Sequence, residues 1–182
     1  EQAACAFWAM MCHIGTAVSQ TAEGQRLFHV RDEGFRVGQP QVRGPNTRNR
    51  LSFHTDRCDV IAFLCLQQAL RGGENQLVSS VTLYNEILRR RPDLLEVLMQ
   101  PLLYKRHNVD RGNAQPYCRQ PVFSFCEGHF AGCFLRVLIE RAHQSEDAPD
   151  LTAQQVEAMD FLEEVAEASE LHVQFRQERG DL

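Results

Sequence analysis

The spacing of apolar and polar positions along the chain changes several times, and each change marks an element. Residues 3–14 are apolar on most sides and carry no β-branched run, which predicts a helix ending at Gly15. Residues 26–31, "RLFHVR", alternate and predict a short strand. Residues 32–50 mix Gly, Pro, Asn and Arg without a period and predict a long loop, which in a compact domain goes with function or mobility. Residues 58–66, "CDVIAFLCL", are short, apolar and β-branched at the start, so they predict a buried strand. "RGGENQLVSS", 71–80, predicts a glycine turn into a strand, with Ser79 and Ser80 capping a helix over "VTLYNEILRR". Pro92 starts another helix, "PDLLEVLMQ", that stops before Pro101.

Further along, residues 121–126 and 129–136 are aromatic-rich runs on either side of "EG", a hairpin signal. Thr152 and Gln155 have the spacing of a capping box ahead of "VEAMDFLEEVAEA". Residues 171–176 alternate Leu, Val and Phe with His, Gln and Arg, which predicts a half-buried strand with His172 toward solvent. Strands at irregular spacing, with helices in blocks, do not make the regular alternation of a parallel sheet. They predict a mainly β fold with flanking helices, an antiparallel barrel or jelly roll.

Composition narrows the class. A chain of 182 residues suits one domain and can bury a core without disulfides. Its hydrophobic content of 43% reads as globular, and its net charge of −5 argues against a nucleic-acid partner. Seven cysteines, an odd number with no C-x-x-C pair, read as free, buried thiols of a reducing, cytoplasmic protein. No apolar run approaches the ~18 residues of a membrane span, and no signal peptide is visible. Both ends read as cut: the chain opens inside a helix without an initiator Met, and a strand is about to begin at Leu182. The basic run "LRRRPD" and the acidic residues of 157–170 read as solvated helix faces.

The candidate chemistry lies in "LSFHTD", 51–56. In extended chain, residues i and i+2 share a side, so His54 and Asp56 face one way. An imidazole and a carboxylate from one segment, joined by a second imidazole, make the 2-His-1-carboxylate set that holds Fe(II) and leaves positions open. On spacing alone a solvated strand end is the better reading of the pair. Gly72 and Gly73 are too short a run for a phosphate loop, and Cys126 near His129 is a faint nucleophilic alternative.

The succession "L-x-FHTD", "GG-x-x-x-LVSS", "YNEILRRRPDLLEVL", "PVFSFCEG" and "LHVQFRQERGDL" resembles the taurine dioxygenase family from about Val30 to Leu182. Members are Fe(II)- and 2-oxoglutarate-dependent oxygenases on a double-stranded β-helix, a jelly-roll variant. The resemblance implies one oxygenase domain over 1–182, incomplete at both ends. It implies His54 and Asp56 as iron ligands, with the distal His and the 2-oxoglutarate-binding Arg beyond Leu182. Asn75 stands where the family often has a Thr that helps hold 2-oxoglutarate, and its amide N–H can serve a carboxylate. Thr47 and Asn49, in the loop ahead of the motif, are implied substrate contacts. His107, His129 and His172 are the alternative third ligands within the chain, with His129 placed to line the mouth of the site. The implied activity is hydroxylation of an unactivated C–H bond of a small molecule with O2, while 2-oxoglutarate becomes succinate. Asp56 argues against the halogenating branch, where chloride takes that ligand position. Two rivals stand beside this reading: a non-catalytic jelly-roll relative without a complete iron site, and a cupin-like metal enzyme, which would want His-x-His. A homo-oligomer is compatible with the sequence, and the substrate is not encoded in any motif.

Overall fold

The computed structural model describes residues 2–21, 23–35, 46–106 and 115–182. The chain divides into two compact units, Glu1–Ser52 and Phe53–Leu182.

The first unit carries α1 (Gln2–Met11), closed by the Gly15 N–H donating to the Met11 carbonyl. The alternating residues 26–31 form no strand, because no segment pairs with them among the described residues. Of the loop expected over 32–50, residues 36–45 lie outside the described residues; among the others the Glu33 N–H donates to the Asn46 carbonyl at 3.0 Å, and Arg48 pairs with Asp32 at 3.2 Å.

In the second unit, β1 (Asn75–Val78) leads into α2 (Ser80–Arg90), α3 (Pro92–Leu98), β2 (Leu102–Lys105), β3 (Tyr117–Gln120), β4 (Phe123–Cys126) and β5 (His129–Gly132). Then come α4 (Arg136–His143), α5 (Ala153–Glu167) and β6 (His172–Phe175). The strands pair antiparallel in three separate ladders, β1 with β6, β2 with β3 and β4 with β5. Of the expected mainly β fold with flanking helices, the blocks of strands and helices are present: among the described residues the four-residue strands β2–β5 follow one another between the pairs α2–α3 and α4–α5, but helices outweigh strands and no barrel closes.

Helix boundaries follow the capping chemistry. The Ser79 hydroxyl accepts from the Thr82 N–H and starts α2. The Thr152 hydroxyl accepts from the Gln155 N–H while the Gln155 side chain accepts from the Thr152 N–H, a complete capping box for α5. Along α5, Ala158, Met159, Leu162, Val165 and Ala166 are buried, a stripe at helical spacing. That stripe meets Leu83 and Ile87 of α2 and Leu94, Leu95 and Leu98 of α3 in one core. Burial of a side chain such as Ile87 or Leu94 contributes about 1.5–3 kcal/mol. The acidic face of α5 is not simply solvated. Asp160 and Glu163 both reach Arg136 of α4 at 2.6 Å, Glu164 reaches Arg90, and Glu157 reaches Arg91.

The hairpin expected around "EG" is β4–β5. Glu127 (φ 50°) and Gly128 (φ 83°) both take the left-handed conformation that a tight two-residue turn requires. Its aromatic faces hold Phe123, Phe125 and Phe130 against Tyr84 of α2, with ring centroids 5.4–5.8 Å apart. The second run ends sooner than its composition suggests. Residues 133–135 leave the ladder, and "RVLIERAH" forms α4, which buries Leu138, Ile139 and Ala142 and packs on β2.

Two further expectations change. Residues 58–66 form neither a strand nor a buried segment: Val60, Ile61 and Phe63 are half or more exposed. Their regular backbone pairing is confined to Cys65, whose N–H donates to the Asp181 carbonyl and whose carbonyl accepts from the Gly180 N–H. The cysteines are free, but none is buried: Cys5, Cys12, Cys58 and Cys126 are exposed, and Cys65, Cys118 and Cys133 are half-buried.

Candidate functional site

The segment carrying the His-x-Asp pair is fixed through the residue between them. The Thr55 N–H donates to the Phe134 carbonyl at 2.7 Å, and the Phe134 N–H donates back to the Thr55 hydroxyl at 2.9 Å. Burial alternates along the segment: Phe53 and Thr55 are half-buried, His54 and Asp56 exposed. Phe53, His54 and Thr55 line the cavity described next, and Asp56 does not. Phe53 packs on the core edge and lies 5.5 Å from the His172 ring.

His54 borders a cavity of about 90 Å³ whose wall includes Gln76, Ser80, Leu83, Phe123 and Cys133. Backbones approach closely in that wall. A Cβ on Gly132 would stand 2.9 Å from the Ser80 Cβ, which a real side chain does not tolerate, so glycine is required there. Burial first of all pushes the Cys133 thiol above its ordinary value, against the opposing hydrogen bonds of Thr55 and Gln120. The thiol therefore stays protonated at neutral pH and competes poorly for a metal.

Sequence-derived candidates fall in different places. Asn75 opens β1, half-buried and opposite Phe175, and does not line this cavity; its neighbour Gln76 does. Thr47 and Asn49 belong to the first unit, where the Thr47 hydroxyl accepts from the Asn49 N–H at 3.3 Å. His129 is exposed beside the hairpin turn, paired across the ladder with Cys126, and does not line the cavity. His107 lies outside the described residues. His172 is half-buried rather than solvent-facing. Its Nδ1–H donates to the Ala166 carbonyl near the end of α5, and Gln76 lies 3.2 Å from Nε2. Both of its ring nitrogens are thus engaged. The helix end captured this side chain, which the alternation of the strand alone does not signal. Gln76 and Thr55 are the contributors that sequence reasoning missed; the in-out alternation of "FHTD" carried a signal for Thr55.

An imidazole nitrogen and a carboxylate oxygen, the donor types that His54 and Asp56 carry, suit a hard or borderline divalent ion. Among the described residues no group of three or more His, Cys, Asp or Glu side chains is assembled for a metal. No helix among the described residues is long and apolar enough to cross a membrane.

A family model described as "Taurine catabolism dioxygenase TauD, TfdA family" matches residues 1–182. The chain is 33% identical over 175 residues to a protein of Streptomyces rubellomurinus named FR-33289 synthase, covering 93% of this chain and 50% of the relative. It is 27% identical over 172 residues to a taurine hydroxylase-like protein of Stachybotrys chartarum, covering 90% of this chain and 43% of the relative. The chain therefore spans about half the length of the curated relatives it matches.

Proposed function

The chain belongs to the taurine dioxygenase family, and on that premise we propose that it is the Fe(II)- and 2-oxoglutarate-binding part of an oxygenase that hydroxylates a small molecule. The observation that supports the reading is the exposure of both His54 and Asp56, two positions apart on a segment pinned through Thr55. His54 would offer an imidazole nitrogen and Asp56 a carboxylate oxygen to the same ion. The third ligand and the Arg that pairs with 2-oxoglutarate lie, on this reading, beyond Leu182, within one domain built as a double-stranded β-helix. When bound, the iron supplies the oxidising chemistry by which O2 and 2-oxoglutarate yield succinate, CO2 and a hydroxylated product.

The chain's own contribution is positional. Thr55 fixes the backbone between the two ligands, so the imidazole and carboxylate need little ordering when the ion arrives. The Asn75 amide N–H serves a 2-oxoglutarate carboxylate, and Thr47 and Asn49 meet the substrate. The phenyl rings of Phe53 and Phe123 give the adjoining cavity an apolar lining that limits water.

The test is 2-oxoglutarate turnover. Protein supplied with Fe(II), ascorbate and O2 should form succinate slowly even without substrate, and Asp56→Ala should lower that rate about 100-fold or more. Equal succinate formation by both proteins would reject Asp56 as a ligand. None from either protein would favour a non-catalytic relative.

A further inference from the structure

A second cavity, of about 170 Å³, opens between the β2–β3 ladder and the facing ends of α4 and α5. It shares no lining residue with the cavity beside His54. Its floor is apolar, with Leu102 and Leu103 buried. One polar atom on its wall is buried and unpaired, and two exposed charged groups on its wall have no ion-pair partner among the described residues.

The first is His143, at the end of α4. Its Nδ1 lies against the Pro149 carbonyl, which can only accept, so Nδ1 carries the hydrogen. In the neutral ring Nε2 is then an acceptor. That atom is buried and has no hydrogen-bond partner among the described residues. A buried polar atom left unpaired costs about 1–3 kcal/mol. The second and third are Arg119 of β3, opposite Leu103 in the register, and Asp150, just ahead of α5. They border one cavity with opposite charges, yet no ion pair joins them, and neither has another ion-pair partner among the described residues. At the N-terminus of α5 the capping box satisfies the Thr152 and Gln155 N–H groups.

The arrangement is polarised. Acceptors lie on the side of Asp150 and His143, where a cation's hydrogens are wanted. The donor Arg119 lies on the strand, where an anion is wanted. About 170 Å³ equals the share of roughly five or six waters, enough for a ligand of similar heavy-atom count. We propose that this cavity binds a short aliphatic amino acid. Its ammonium group meets Asp150 and His143 Nε2, its carboxylate meets Arg119, and its methylene groups rest on Leu102 and Leu103. One ligand then satisfies all three groups, and a simple anion or cation satisfies only one side.

Isothermal titration of the full chain with β-alanine, propionate and n-propylamine separates these cases, and needs neither iron nor 2-oxoglutarate. Saturable binding of β-alanine is expected, with propionate and n-propylamine each weaker by about tenfold or more, the loss of one charge-assisted contact. Arg119→Ala and Asp150→Asn should each weaken β-alanine by a similar factor at unchanged melting temperature, since both side chains are exposed. Propionate binding as tightly as β-alanine, no saturable binding of β-alanine, or unaltered binding by both variants would each overturn the proposal.

Discussion

Two stretches of the second unit carry many apolar residues and end in different surroundings. From Leu83 to Leu98, the side chains of Ile87, Leu94 and Leu98 are fully buried. From Val60 to Leu70, Val60 is 61% exposed, Phe63 50% and Leu70 96%. The stretch from Val60 to Leu70 is the more apolar of the two and carries no charge, yet it is the more exposed; partners decide burial here, not composition. In the first stretch Arg91 ends α2 and begins α3, so the chain folds back at once, and the long stripe of α5 covers both helices. Such contacts are local or helix-on-helix and need no register. The second stretch depends on a distant strand, and what it meets is the run 176–181, through backbone bonds at Cys65 and side-chain bonds from Gln68 and Arg176. Apolar sequence thus specifies burial only where a complementary surface arrives.

The sharpest break of this comparison is mutational. Leu98→Ala should destabilise the chain by about 2–5 kcal/mol through the cavity it leaves. Phe63→Ser should change stability by no more than about 0.5 kcal/mol. Urea unfolding followed by circular dichroism measures both. A cost at Phe63 approaching that at Leu98 would mean the 58–66 stretch is packed in solution and would erase the contrast.

The bridge between the regions is next. Thr55→Val keeps the shape and removes the hydroxyl that receives the Phe134 N–H. The loss should be about 1–2 kcal/mol. Fe(II) affinity should fall as well, because the pinned segment carries both proposed ligands. A stability loss with unchanged Fe(II) affinity would make Thr55 a structural residue only.

The smallest effect is a pH dependence confined to the packed side. Burial, the leading cause in each case, holds the Cys133 thiol above its ordinary 9.0 and the Tyr104 hydroxyl above its ordinary 10.0. Both groups keep their protons longer in the folded chain than in the unfolded one. Their contribution is therefore complete below about pH 9 and declines as pH rises through the folded-state values. The urea midpoint should drop as pH rises above about 9, and Tyr104→Phe should flatten the part of that drop above about pH 10. An equal drop in the variant would assign it to other groups.

What the sequence disclosed follows from the range of the interactions involved. Caps and turns are local, so Ser79, the Thr152–Gln155 box and the Glu127–Gly128 turn were legible residue by residue. The alternation of exposure along Phe53 to Asp56 has the same local origin. Long-range pairing was not legible. The four-residue strands β2 and β3 carry too few positions to show a period, and α4 hides behind an aromatic run that reads as more strand. His172 went astray because a strand's alternation says nothing of a helix end nearby that needs a donor. Thr55 and Gln76 were hidden similarly, since their roles depend on residues 79 and 96 positions away.

The most direct test of the central claim is an anaerobic titration of the protein with Fe(II) and 2-oxoglutarate, followed by the weak visible charge-transfer absorption of the chelated complex. The account predicts a saturable band that is lost in His54→Ala and in Asp56→Ala, while both variants keep the wild-type unfolding midpoint because both side chains are exposed. A band of undiminished intensity in either variant would remove that residue from the metal site and contradict the account.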